Sequence, residues 1–197
     1  MSGESQGHKS GSIEESALVA RIAARDEAAF REVISRHAPM LHRIAYRMMG
    51  DAHEAEDIAQ EAMLRLWDHA PRWKGGGLLP AAWLKRVTVN LAIDRLRVAK
   101  RISGDEAPEQ VDQDRLADAQ IETREEQDRA RALIASLPDR QRAAIILTYY
   151  EELPNIEAAN VLDMNIKAFE SLLHRARAAL RKSFEASEPS QARGGAA

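Results

Sequence analysis

The sequence predicts an all-α protein of two small helical domains joined by a flexible acidic linker. Three observations carry that reading. Apolar residues recur at spacings of three and four through most of residues 26–100 and 123–184, the period of a helix with one buried stripe. Aromatic residues make up only 5% of the chain and β-branched runs are short, which disfavours strands. Residues 101–122 lose the stripe, turn acidic and polar, and hold Gly104 and Pro108, as a linker does. With 197 residues and 45% hydrophobic content, there is apolar surface for a core on each side of that linker.

Residues 1–12 are polar and lack the apolar stretch of a secretory signal, so they read as a disordered tail. The first domain covers 13–100. From Asp26, the residues Phe30, Val33, Ile34, His37, Leu41, Ile44, Ala45 and Met48 outline a helix that Pro39 should break or kink. Gly50 suits a left-handed helix end, and Asp51 suits the cap of the next helix. That helix runs through Ile58, Ala62, Leu66 and Trp67 to about His69. A glycine-rich loop from Pro71 to Pro80 leads to a third helix over about 81–99, with Leu84, Val87, Leu91 and Val98 expected in the core.

The second domain, 123–185, reads as helices at about 123–136, 139–151, 156–163 and 166–184, followed by a small-residue tail at 186–197. In its last helix Ile166, Phe169, Leu173, Ala176 and Leu180 form one apolar stripe, while Lys167, Ser171, His174 and Arg175 lie mainly on other sides. Asn165 is a natural N-cap, and Met164 with Phe169 fits a hydrophobic staple. A short helix, a turn and a basic amphipathic helix is the layout that sets a helix into the DNA major groove.

The net charge of −3 conceals segregation. Ala82 to Arg101 carries six cations against a lone Asp94, whereas Gly50 to Glu61 carries five acids and no Lys or Arg. Opposite charge on separate segments implies partners of opposite sign. The helix macrodipole accounts for some of Asp51, Glu54 and Glu56. Asp57, Gln60, Glu61 and Arg65 lie beyond the first turn and read as a protein-docking face. On the third helix, Arg86, Asn90 and Arg97 share a face with Trp83 at its edge. An aromatic, an amide and guanidinium groups suit single-stranded or distorted nucleic acid; a solvated basic surface is the plainer alternative. The loop before it lacks the Gly-Lys-Ser/Thr ending of a phosphate-binding loop and is either a flexible connector or a pliable rim for an unstacked base.

Other classes find no support. The chain has no cysteine, which removes disulfides, thiolate metal sites and thiol nucleophiles and fits the cytoplasm. No apolar run approaches the ~20 residues of a membrane span, so no membrane insertion is expected. His53-Glu54 lacks the second histidine of a zinc-protease helix, and no serine sits in a nucleophile elbow. Neither an enzyme nor a cofactor is expected.

Read together, the segments resemble a bacterial sigma-70 family RNA polymerase sigma factor of the extracytoplasmic-function (ECF) group. Asp57-Ile58-Ala59-Gln60-Glu61-Ala62-Met63-Leu64-Arg65-Leu66-Trp67 resembles that family's acidic pair, Gln-Glu and closing Leu-Trp. Trp73-Lys74-Gly75, Ala82-Trp83-Leu84 and Asn90-Leu91-Ala92-Ile93-Asp94-Arg95-Leu96-Arg97 resemble its next two regions. Leu137-Pro138 with Arg142, then Glu157-Ala158-Ala159, Ser171, Leu173 and His174-Arg175-Ala176-Arg177, resembles its C-terminal helix-turn-helix.

The resemblance implies a region 2-like domain, a region 4-like domain, and a transcription initiation factor. It implies that Asp57, Gln60, Glu61, Arg65 and Trp67 bind core RNA polymerase. Trp73, Lys74, Trp83, Arg86, Asn90 and Arg97 would hold and help melt the −10 element, with one base flipped out and Asn90 reading a base edge. Lys167, Glu170, Ser171, His174 and Arg175 would meet the −35 element in the major groove. An anti-sigma factor is the implied controlling partner, and promoter DNA the third. Four positions depart from the family's pattern: Glu170 stands where a basic residue is usual, Ala168 where Thr is common, Leu172 where Arg is common, and Asp163 where Gly is usual. Glu170 predicts an altered −35 preference, since a carboxylate accepts from cytosine N4 and repels phosphate. A helix-turn-helix regulator that occupies an operator without polymerase is the alternative, although it leaves the first domain's patterns unexplained.

Overall fold

The computed structural model describes the backbone of residues 4–73, 79–102 and 121–187, and the side chains of 14–73, 79–102 and 128–186. Lys74, most of the expected linker and the tail beyond residue 187 lie outside these. Every regular element among the described residues is helical. The first half contains α1 (Glu4–Ala23), α2 (Glu27–Met49), α3 (Ala52–His69) and α4 (Pro80–Ile102), with a 3-10 turn at Ala70–Arg72. The second contains α5 (Ile121–Ala135), α6 (Asp139–Ile145), α7 (Asn155–Val161) and α8 (Ile166–Ser187), with a π-type turn at Ile146–Tyr150 after α6.

Local chemistry sets the boundaries. Asp26 caps α2 by accepting from the backbone N–H of Ala28 and Ala29, and Asp51 caps α3 by accepting from Glu54 N–H. Between them Gly50 adopts φ 76°, and its N–H bonds to the Tyr46 carbonyl, closing α2. Asn165 Oδ1 accepts from Ala168 N–H at 2.9 Å to start α8. Asp163, in the turn before it, has φ 53°, a left-handed conformation that Asp tolerates better than most residues.

Four expectations need correction. The segment expected as a tail is helical from Glu4, and α1 seats Leu18, Val19 and Ile22 in the core. The α2 helix is not broken at Pro39; a proline forfeits one backbone donor, and here neighbouring Leu41, Ile44, Ala45 and Met48 are all buried and hold the helix in place. Val98 is 51% exposed, because Ile93 and Leu96 make the core contacts of those turns instead. The expected linker ends, residues 101–102 and 121–122, are helical.

The first core lies between α2, α3 and α4, with α1 packed across them. The second is built from Leu137, Ala143 to Leu147, Ala158, Ala159, Val161, Leu162, Phe169, Leu172, Leu173 and Ala176. The two halves touch: α7 and α6 pack on α4, and the π-type turn packs on α2.

Candidate partner and nucleic-acid surfaces

The acidic face of α3 is ordered from the side by one arginine of α4. Glu54, Asp57 and Glu61 fall at i, i+3 and i+7, which lines them up. Arg95 Nη1 reaches Glu54 Oε2 at 2.5 Å and Asp57 Oδ2 at 3.8 Å, and its Nη2 reaches Glu61 Oε2 at 3.4 Å. Burial works against the Arg95 charge, but Glu54 and Glu61 outweigh it and hold the guanidinium above its ordinary pKa. Glu61 also accepts from Arg65 Nη2 at 2.6 Å, and Gln60 donates to Glu56 at 3.1 Å. The Asp57 side chain is 66% exposed, and Leu64 stands 59% exposed on the same helix. Asp57, Gln60, Glu61 and Arg65 therefore sit on one accessible surface.

Trp67 does not join them. Its ring packs on Phe30 at 4.9 Å and under the Arg25 guanidinium at 4.9 Å, which makes it a clamp between α3 and α2. Glu54 and Arg95 are the members sequence reasoning missed. The α4 cation run was visible, but its pairing with α3 is a tertiary fact.

Beyond the end of α3 three aromatic rings meet. His69 stacks on Trp83 at 5.1 Å, and Trp73 stands edge-on to both at 5.7 Å. Edge-to-face packing of this kind holds flat rings at fixed angles and leaves both tryptophans half-buried. Three irregularly spaced positions give no periodic signal, so His69 was legible only as a helix end. Along α4 from this cluster, Asn90 and Arg97 are exposed, and Arg97 Nη1 lies 3.8 Å from Asp94. Arg86 is already engaged: Nη2 lies 3.2 Å from Asp163 Oδ1 and also donates to the Asn160 carbonyl, both from the second half.

On α8, Lys167, Glu170, Ser171, His174 and Arg175 are all exposed and together line a shallow depression of about 550 Å³. Ser171 Oγ donates to the Lys167 carbonyl at 3.0 Å, so its hydroxyl hydrogen is used within the helix. Leu172 is buried. It belongs to the core of the second half and not to this face.

Residues 33–102 match the family described as Sigma-70 region 2, and residues 127–180 match Sigma-70, region 4. The ECF RNA polymerase sigma factor SigW of Bacillus subtilis is 32% identical over 168 residues, 80% of this chain and 89% of that protein. The ECF RNA polymerase sigma factor SigL of Mycobacterium tuberculosis is 34% identical over 181 residues, 84% of this chain and 94% of that protein. Among solved structures, CnrH in complex with the cytosolic domain of CnrY shares the fold, with TM-score 0.65 and 24% identity over 88% of this chain and 99% of that one. So does the sigma factor RpoE bound to the anti-sigma factor NepR from Bartonella quintana, with TM-score 0.58 and 22% identity over 81% of this chain and 98% of that one. With both regions matched in order and about a third of its residues shared across most of two relatives' lengths, the chain belongs to the ECF RNA polymerase sigma factors of the sigma-70 family.

Proposed function

We propose that the chain docks on core RNA polymerase through the Asp57, Gln60, Glu61 and Arg65 face of α3, and directs it to promoters through two DNA-reading faces. The observation that carries this reading is the coexistence, on one chain, of an accessible acidic face on α3 and two separate polar faces, one on α4 with Asn90 and Arg97 and one on α8 with Lys167, Ser171, His174 and Arg175. Trp73 and Trp83 supply stacking surface for unpaired bases of the −10 element, Arg86 and Arg97 hold phosphates, and Asn90 reads a base edge. Lys167, Glu170, Ser171, His174 and Arg175 face the −35 major groove. Two solved neighbours were captured in complexes, one with the cytosolic domain of CnrY and one with the anti-sigma factor NepR; by analogy with the second, an anti-sigma factor holds this chain inactive in the cytoplasm. No described helix is long and apolar enough to cross a membrane.

The test is in vitro transcription with bacterial core polymerase on pooled genomic promoter fragments. Discrete new transcripts are expected, and they disappear with Asp57→Arg/Glu61→Arg, since like charge placed against a basic surface costs several kcal/mol. Absent transcripts, with tight binding of duplex DNA by the chain alone, would instead favour an operator-binding regulator.

A further inference from the structure

We propose that His69 is a positioning residue for the −10 strand: it backs one face of Trp83, so that the opposite face receives an unpaired base in a three-layer stack. The inference rests on the assignment of Trp83 to the −10 element and adds the residue that orients its ring. His69 and Trp83 are nearly parallel, at 11°, with ring centroids 5.1 Å apart. Trp73 lies 5.7 Å from each, turned 76° from His69 and 71° from Trp83. A ring beyond either end of the stack would be much farther from one member than from the other. Equal distances therefore set Trp73 beside the pair. Neither neighbouring ring then covers the face of Trp83 turned away from His69. A nucleobase is flat and carries a π-face of its own, so it extends such a stack whatever its sequence identity.

The main chain beneath the three rings is anchored on both sides. His69 ends α3, and Ala70 after it is buried. Trp73 N–H donates to the Ala70 carbonyl at 3.0 Å, which closes the 3-10 turn. The α1 helix packs on that turn, and its Glu15 accepts from the Ala81 N–H at 3.4 Å in the first turn of α4. Fixed backbones still leave each ring free to change rotamer. On one side of Trp83 the group that limits such rotation is the His69 ring. Imidazole suits the place: it is flat enough to stack and polar at its edge, so it tolerates a half-exposed site. An aliphatic side chain of similar bulk fills the space without offering a plane.

The test uses the full chain assembled with core polymerase, binding being compared per assembled holoenzyme. The probe is a short single-stranded DNA carrying the non-template −10 strand of a promoter recovered in the transcription assay. It is made intact and with one base at a time removed to leave an abasic site. His69→Leu should weaken binding of the intact strand roughly fivefold, and His69→Phe, which restores a flat ring, should return it to within about twofold of wild type. At one abasic position His69→Leu and Trp83→Ala should both cease to matter, because the base that used the stack is gone. A His69→Leu penalty that persists at every abasic position is a general structural effect and overturns the proposal. So does the absence of any penalty on the intact strand, or a His69→Phe variant that binds as weakly as His69→Leu. If Trp83→Ala leaves binding of the intact strand untouched, it is the assignment of Trp83 to the −10 element that fails.

Discussion

Glu170 is the one carboxylate among the five residues that the family resemblance assigns to the −35 face. It is exposed on α8 between Lys167 and His174, where a carboxylate repels the phosphates that its neighbours attract and accepts a hydrogen bond only from a base-edge donor such as cytosine N4. Glu170→Arg should therefore tighten binding of region 4 to promoter duplex, steepen the dependence of log K on log salt by about one unit or more, and shift the preferred −35 base toward guanine. Selection of promoter sequences from a randomised −35 library by wild-type and variant holoenzyme checks this. Identical preferences and salt slopes would show that Glu170 does not face the groove. Glu170 was legible because helical spacing alone places it beside Ser171 and His174. The engagement of Arg86 by Asn160 and Asp163 was not, because the partners lie 74 and 77 positions away and no local pattern links them.

Elements whose ends are set by short-range chemistry were readable from sequence. Asp51, Gly50 and Asn165 act within three or four residues of themselves, so capping preferences suffice to find them. By contrast α1 shows little apolar patterning, and its burial of Leu18, Val19 and Ile22 depends on the surface that α2, α3 and α4 offer it. The same junction of helices makes a pH prediction. His37 on α2 lies 3.9 Å from Glu15 of α1, with Arg36 and Lys85 also near. Burial is the dominant influence and lowers its pKa below the ordinary 6.5, reinforced by Arg36 and Lys85 and opposed by Glu15. A histidine depressed in the folded state binds its proton first in the unfolded chain. Stability is thus full above about pH 6.5, falls as pH drops through that value, and levels off below the folded pKa. His37→Gln should flatten the urea-denaturation midpoint between about pH 7.5 and 5.5, where wild type declines. A wild-type midpoint constant across that window would mean that His37 titrates alike in both states. The Asp26 carboxyl, held low by the N–H of Ala29, by Arg21 and by the N–H of Ala28, contributes stability throughout this window and loses it only as pH falls through about 3.8 and below.

At the scale of the whole molecule, one buried arginine ties three helices together. Arg142 on α6 donates through Nη1 to the Met48 carbonyl at 2.5 Å, and through Nη2 to the Ala135 carbonyl. Met48 is in the last turn of α2 and Ala135 ends α5. Both carbonyls belong to the group that a helix terminus leaves without a partner, and both sit at the negative ends of their dipoles. Burial lowers the Arg142 pKa and Asp139 partly restores it, so the cation is kept because the carbonyls, rather than water, solvate it. The sequence marked Arg142 as part of a helix-turn-helix motif, but its bond to a residue 94 positions earlier could not be read there. That bond makes the folding of one half sensitive to the other. A single cooperative thermal transition is expected for the wild-type chain in low salt. Arg142→Gln keeps a donor but cannot reach both carbonyls with charge, and should cost about 2–4 kcal/mol. Its effect should fall on both halves: calorimetry should resolve two transitions, the lower belonging to residues 121–187, which lose a staple within their own core as well as the tie to α2. A variant that unfolds in one transition, shifted down but undivided, would show that the packing of α7 on α4 and of the π-type turn on α2 couples the halves without this arginine.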